Sequence, residues 1–200
     1  MKKFLMIAVM AMSALSMSAQ DSKFAAGVNL DFIAGSGSYT TMGFGLKLQY
    51  NFTENFRTEL GYSYYLNKKL DAEWLGDEPK DGLWTINLNF AYLFKVSDKI
   101  KVGPMAGIAM NSTHMNDAAK AWYTAAGQAL GATQEAKNTM ALGFQLGVAS
   151  EYQVSDHFKL GLDLMYKHAK RDAKITSDGY FKTGMDYKGF LASLTAAYCF

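Results

Sequence analysis

Beyond residue 23, large apolar residues alternate with small or polar ones along most of the chain. A period of two gives a strand two unlike faces. The first run sets Phe24, Ala26, Val28, Leu30 and Phe32 against Ala25, Gly27, Asn29 and Asp31. The second is close to ideal, with Met42, Phe44, Leu46, Leu48, Tyr50 and Phe52 against Thr41, Gly43, Gly45, Lys47, Gln49 and Asn51. Six more runs begin near Arg57, Trp84, Ile100, Met140, Phe158 and Gly189, and the last ends the chain on Tyr198, Cys199 and Phe200. The pattern predicts eight strands.

Glycine orients the two faces. Gly27, Gly43, Gly45, Gly61, Gly103, Gly107, Gly143, Gly147, Gly161 and Gly189 all fall on the polar face of these runs. A soluble barrel has little use for glycine on a water-facing surface, whereas a narrow barrel in lipid needs small residues inside and a Leu/Phe/Tyr skin outside. The connections agree. Thr53 to Asn55, Lys95 to Lys99 and Ser155 to His157 are short turns, while 67–82, 111–138 and 169–186 are long and only the loop around Gly35-Ser36-Gly37 is short among the outer ones. This is the alternation of periplasmic turns and extracellular loops, and an even strand number leaves both termini periplasmic. Aromatic residues gather at two depths: Phe24, Tyr50, Phe52, Phe94, Tyr152, Phe158, Tyr198 and Phe200 at the turn end, and Phe32, Tyr64, Trp84, Tyr166 and Phe190 at the loop end. The expected fold is all-β, an eight-stranded antiparallel up-and-down transmembrane β-barrel. Backbone satisfaction in lipid requires that such a sheet close.

The N-terminus breaks the alternation. Lys2 and Lys3 precede an apolar run from Phe4 to about Leu15 and the small-residue stretch Ser16-Met17-Ser18-Ala19. This is a secretory signal, too short to span a membrane as a helix. Cleavage after Ala19 divides the chain into a signal peptide, 1–19, and a barrel, 20–200. Half of the residues are apolar and the formal net charge is +2. Both excess charges belong to Lys2 and Lys3, so the mature chain is neutral and nucleic acid is excluded as a partner. A single cysteine, Cys199, excludes a disulfide framework and a paired-cysteine zinc site, and no cofactor or metal is expected.

The signal segment, the eight runs, Val102-Gly103-Pro104 with Gly107, and the closing Tyr198-Cys199-Phe200 resemble the small OmpA/OmpX-like outer-membrane β-barrels, in the porin-family form common in Bacteroidetes-type bacteria. The resemblance implies a Gram-negative outer membrane, with lipid and lipopolysaccharide as surroundings. It also implies recognition of Leu194, Tyr198 and Phe200 by the barrel-assembly machinery. Pro104 cannot donate to a ladder, and a bulge or local irregularity is expected there.

Charges of both signs face inward: Asp31, Glu59, Glu151 and Asp163 with Lys47, Arg57, Lys101, Lys159 and Lys167. Turn register makes Lys47 and Glu59 diagonal neighbours, and likewise Glu151 and Lys159. Eight strands enclose an interior that side chains can fill. The expected role is therefore structural or surface-interacting, with a filled lumen and an extracellular partner reached through the long loops. A narrow channel and a lipid-modifying enzyme are the alternatives within this fold, and a soluble lipocalin-like carrier is the competitor outside it. Such enzymes use His with Ser and an acid. Here His168 near the rim and His114 in the third loop, two residues after Ser112, form no recognisable constellation, and His157 is in a periplasmic turn. No catalytic residue is expected. The third loop is expected to be exposed, with a turn or two of helix within Asp117 to Leu130, capped by Asp117 and limited by Gly127 and Gly131; a partner-binding helix with Trp122 and Tyr123 as candidate contacts is the alternative. Asn111-Ser112-Thr113 is an accidental glycosylation triplet, and Trp74 and Asp77 to Asp81 read as solvated loop.

Overall fold

The computed structural model describes residues 23–36, 40–69 and 80–200. The segment expected to be a signal peptide, the tip of the first loop and most of the second, including Trp74 and Asp77, lie outside the described residues. Eight long strands form the wall: β1 Phe24–Ser36, β2 Thr40–Asn51, β3 Phe56–Lys69, β4 Lys80–Tyr92, β6 Ile100–Met115, β8 Met140–Ser155, β9 Phe158–Arg171 and β12 Met185–Cys199. Four two-residue pieces complete the count: β5 Phe94–Lys95, β7 Ala136–Lys137, β10 Lys174–Ile175 and β11 Phe181–Lys182. Among the described residues one helix, α1, spans Asp117–Ala129.

Every long strand pairs antiparallel with its chain neighbours, and β1 pairs with β12, so the sheet has no open edge. One row of partners leaves Asn29 through β2, β3, β4 and β6 and reaches β8 at Ala141. The same row taken the other way, through β12 and β9, reaches β8 at Glu151. The ten-residue offset is the stagger that closure of tilted strands requires, and with eight strands it leaves an interior filled by side chains.

The two faces divide as the alternation predicts. Val28, Leu46, Leu142 and Phe190 point out and are 60–72% exposed, whereas Asn29, Lys47, Ala141 and Leu191 point in and are at most 4% exposed. In water an apolar skin of this extent is untenable. The inward glycines let neighbouring strands coil closely: a Cβ on Gly103 would run into the Tyr92 carbonyl, and one on Gly45 into that of Tyr62. Ring contacts cluster at both ends of the skin, as in Phe24–Tyr50 at 4.6 Å and Tyr198–Phe200 at 5.2 Å at the turn end, and Tyr166–Phe190 at 5.7 Å at the loop end.

Three expectations need correction. The strands run further than the alternation suggests: β6 continues to Met115, β9 to Arg171, and β12 begins at Met185, because ladder pairing goes on beyond the apolar band where outward side chains turn polar. His114 is therefore on a strand and not in a loop. Pro104 makes no bulge. It sits opposite Val148 in an unbroken ladder with β8, and the register of β6 against β4 and β5 is the same on both sides of it. The effect is a one-residue break between β4 and β5 at Leu93, where Pro104 has no N–H to offer. Register shifts occur instead at Tyr65/Lys68 and Gln153/Ser155.

Candidate functional site

The inward charges assemble into one cluster towards the turn end. From β2, Lys47 Nζ donates to Asp163 Oδ2 on β9 at 2.6 Å and lies 3.3 Å from Glu59 Oε1 on β3. From β3, Arg57 reaches Glu151 on β8 at 2.9 Å, Glu59 at 3.7 Å and Asp163 at 3.8 Å. Lys159 on β9 donates to Glu151 Oε2 at 2.8 Å. Three cations meet three carboxylates, and all six residues are buried. The contacts from β2 to β9 and from β3 to β8 span the lumen, since those strands are not neighbours in the sheet. Gln49 and Asn89 donate to the two oxygens of Glu59 at 2.9 and 3.2 Å, and Gln145 donates to Asn89. Charges this far from water persist only when paired and hydrogen-bonded.

The remaining three candidates stand apart from that cluster. Asp31 is in no ion pair of the cluster. Asn29, Ser193 and the Tyr65 hydroxyl donate to its carboxylate at 2.7, 2.6 and 3.1 Å. Lys101 is half-buried at the turn end and donates to the Glu54 carbonyl at 3.0 Å. Lys167 is fully buried nearer the loop end, where Nζ donates to Thr85 Oγ1 at 3.0 Å and lies 5.8 Å from the rings of Tyr65 and Tyr187. Among the described residues the lumen around it carries no further charge cluster: Ile33, Leu83, Met165, Met185 and Leu191 are buried in one cluster with those two tyrosines, beside the buried polar pair Thr85 and Asn111. Polar partners such as Asn89, Gln145 and Ser193 were invisible as individuals in the sequence. Their only signal was an inward position on an alternating strand.

The aromatic end of the chain is locked to its neighbours. Tyr198 lies parallel to His157 at 5.7 Å, the Cys199 N–H donates to the His157 carbonyl, and the Phe200 N–H donates to the Phe24 carbonyl. Both ends of the described chain thus meet at the turn end. Leu194 and Tyr198 point outward, about half exposed.

A family profile for the outer membrane protein beta-barrel domain matches residues 4–200. The chain belongs to the outer-membrane β-barrel proteins. No curated protein matches it, but solved barrels do. The neisserial surface protein NspA superposes with a TM-score of 0.59 at 15% identity, over 89% of this chain and 97% of NspA. OprG of Pseudomonas aeruginosa gives 0.58 at 16%, over 88% and 95%. Ail, the attachment invasion locus protein of Yersinia pestis, gives 0.50 at 14%, over 88% and 96%. At these identities the likeness is one of fold. The apolar skin of this outer-membrane barrel is accordingly its lipid-facing surface.

Beyond the skin, the barrel carries a folded module at its loop end. The Asn116 side chain caps α1 by accepting from Ala119 N at 2.8 Å. The cap is thus Asn116, with Asp117 as the first helical residue, where its charge favours the helix N-terminus. Gly127 lies inside the helix against Phe181, where any side chain would clash, and Gly131 takes the positive φ of 95° that follows the C-terminus. β10, β11 and β7 form a small sheet that joins the third and fourth loops. Tyr123 packs on the buried Ala132, Ala136 and Phe181, so it holds the module together, while Trp122 meets it edge-on at 4.7 Å and stays half-buried. Burial pushes the Tyr123 hydroxyl up to about 12, and the carboxylate of Asp81, at the loop end of β4, adds to that shift. Asp81 itself is pushed up to about 6 by burial, against the Gly82 N–H that favours its charged form.

Proposed function

We propose that this outer-membrane barrel is a sealed structural scaffold that presents the α1 and β10-β11-β7 module outside the cell, with the turns and both termini on the periplasmic side. The lumen-spanning cluster of Lys47, Arg57, Glu59, Glu151, Lys159 and Asp163 carries this reading. An open pore lined by charged side chains leaves them in water, whereas here each is withdrawn from it. The apolar layer around Met165 and Leu191 adds a second obstruction nearer the loops. For orientation, the support is the contrast between turns of two to four residues at one end and a knitted module at the other.

The same reading assigns no catalysis. His114 and His168 lie on β6 and β9, and His168 packs its ring against Phe144 at 5.2 Å. Planar-bilayer recording of the purified protein tests the seal. The expected record is silent, and stable ion-selective channels would establish the narrow-pore alternative. Protease digestion of intact cells tests orientation, with cleavage expected within 111–138 or 169–186. Mass spectrometry of lipid A from cells with and without the protein is expected to show no acyl-chain difference.

A further inference from the structure

The small sheet that joins the third and fourth loops has two unlike faces. Ile175, Phe181 and Ala136 stand opposite one another across β10, β11 and β7, and Phe181 and Ala136 are buried in the cluster on which Tyr123 of α1 packs. The neighbouring row is Lys174, Lys182 and Lys137. Successive residues of a strand point to opposite faces, so this row lies on the face turned away from that cluster. Adjacent strands are about 4.8 Å apart, and three lysine side chains therefore leave the sheet within about 10 Å of one another.

Like charges directly opposite one another destabilise a sheet, and no carboxylate relieves this row among the described residues. The acids nearest in the chain are engaged or displaced: Lys120 holds Glu135 at 2.9 Å, Lys170 lies 3.7 Å from Asp172, and Asp178 sits in the turn beyond Thr176. Lys137 Nζ sits 3.2 Å from the centroid of the Tyr180 ring, which fixes one end of the row and places that ring on the same face. The other lysine pairs of the described ladders differ. Asp98 lies 3.0 Å from Lys95, and the ladder sets Glu151 opposite its partner Lys101. Lys69 and Lys80 meet at the ends of β3 and β4 with no third lysine in the row. Three unrelieved lysines in register weaken the small sheet and give it a concentrated cationic face.

We propose that this face binds an acidic polysaccharide with one anionic group on each sugar ring, its chain lying across the strands along the lysine row. A pyranose chain advances by roughly one strand spacing per ring, so successive anions meet successive lysines. A protein partner fits the face poorly. Stable protein interfaces cover about 800 Å² on each side around a core depleted in lysine, whereas this sheet has strands of two residues each and lysines at the centre of its free face. A repeating polymer needs no such core, because weak contacts repeated on neighbouring barrels add through the shared chain. The side of the membrane on which it binds rests on the orientation proposed above, but the site itself does not.

The test uses the folded full-length barrel in detergent micelles, with fluorescence anisotropy of end-labelled oligomers. The probes are oligogalacturonate, its fully methyl-esterified form, which is uncharged, and oligoglutamate with the same number of carboxylates. The unaltered protein is expected to bind oligogalacturonate at least tenfold more tightly than either of the others, which requires no variant to fold. The triple variant Lys137→Gln, Lys174→Gln, Lys182→Gln is expected to lose that binding, with hydrogen exchange at residues 174–182 no faster than before because the opposed charges are gone. A second triple variant, Lys23→Gln, Lys95→Gln, Lys99→Gln, removes the same charge from the turn end and is expected to bind as the unaltered protein does. Equal binding of the methyl ester or of oligoglutamate, unchanged binding or faster exchange in the first variant, or lost binding in the second each overturns the proposal. Protease digestion of intact cells reads orientation separately, so the two failures are distinguishable.

Discussion

Two layers of one lumen answer the same packing problem in opposite ways. Towards the turn end the interior is filled by charge, three cations bonded to three carboxylates across the barrel. Towards the loop end it is filled by Ile33, Leu83, Met165, Met185 and Leu191, with a single buried lysine, Lys167, that no carboxylate contacts among the described residues. The first layer resembles a buried salt-bridge network, whose members are costly one by one and stable only together. The second is a neutral layer, in which apolar side chains pack beside hydrogen-bonded Thr85, Asn111, Thr113, Thr139 and Thr183. A lysine is therefore indispensable in one layer and an exception in the other.

The sharpest way to break this comparison is to make the same substitution in both. Lys47→Met leaves Glu59 and Asp163 buried without their main counter-charge, and is expected to destabilise the barrel by about 3–5 kcal/mol. The measurement is urea unfolding in lipid vesicles, followed by the gel shift between folded and unfolded forms. Leu191→Ala opens a cavity in the apolar layer and is expected to cost about 2–4 kcal/mol in the same assay. Lys167→Met is expected to run the other way, a gain of about 1–3 kcal/mol, because it removes a desolvated amine and leaves only Thr85 to rebond. If Lys167→Met destabilises as strongly as Lys47→Met, the layers are not distinct in kind.

The alternation was sufficient for the wall. Strand number, inward and outward faces, and the turn-end pairs Lys47 with Glu59 and Glu151 with Lys159 follow from a period of two and from short turns, both of which are local properties. The bonds from Lys47 to Asp163 and from Arg57 to Glu151 join residues 116 and 94 positions apart. They depend on closure and on the ten-residue stagger, which no local pattern encodes. For that reason the nine inward charges could be named in advance but not sorted into a six-membered cluster, a separately held Asp31, an outlying Lys101 and an isolated Lys167. The helix shows the same limit on a smaller scale. Its place was legible but its length was not: a turn or two was expected and α1 runs for 13 residues through Gly127. Asn116 and Asp117 are both good caps, and the choice falls to Asn116 because its side chain accepts from Ala119 N and its backbone N–H bonds back to β4 at Lys80.

Asp81 extends the comparison to the top of the apolar layer, where a carboxylate meets Tyr123 of α1 at the edge of water. Its folded value of about 6 lies above the ordinary 3.8. Between those values the folded chain binds the proton more readily than the unfolded chain does. The corresponding stability is complete below about pH 3.8 and is lost as pH rises through 6. The module is thus expected to dock more firmly at pH 5 than at pH 7.5. Partial access to water reduces the effect to about 1 kcal/mol, the smallest of the four. Hydrogen exchange at residues 81–83 and 119–127 reads it directly, with roughly fivefold slower exchange expected at pH 5 after correction for the intrinsic pH dependence. Asp81→Asn should show the slow rate at both pH values, since it is neutral throughout. If the variant instead exchanges faster than the unaltered protein at pH 7.5, the carboxylate is anchoring the module as a charge, and the neutral character of the loop-end layer stops below Asp81.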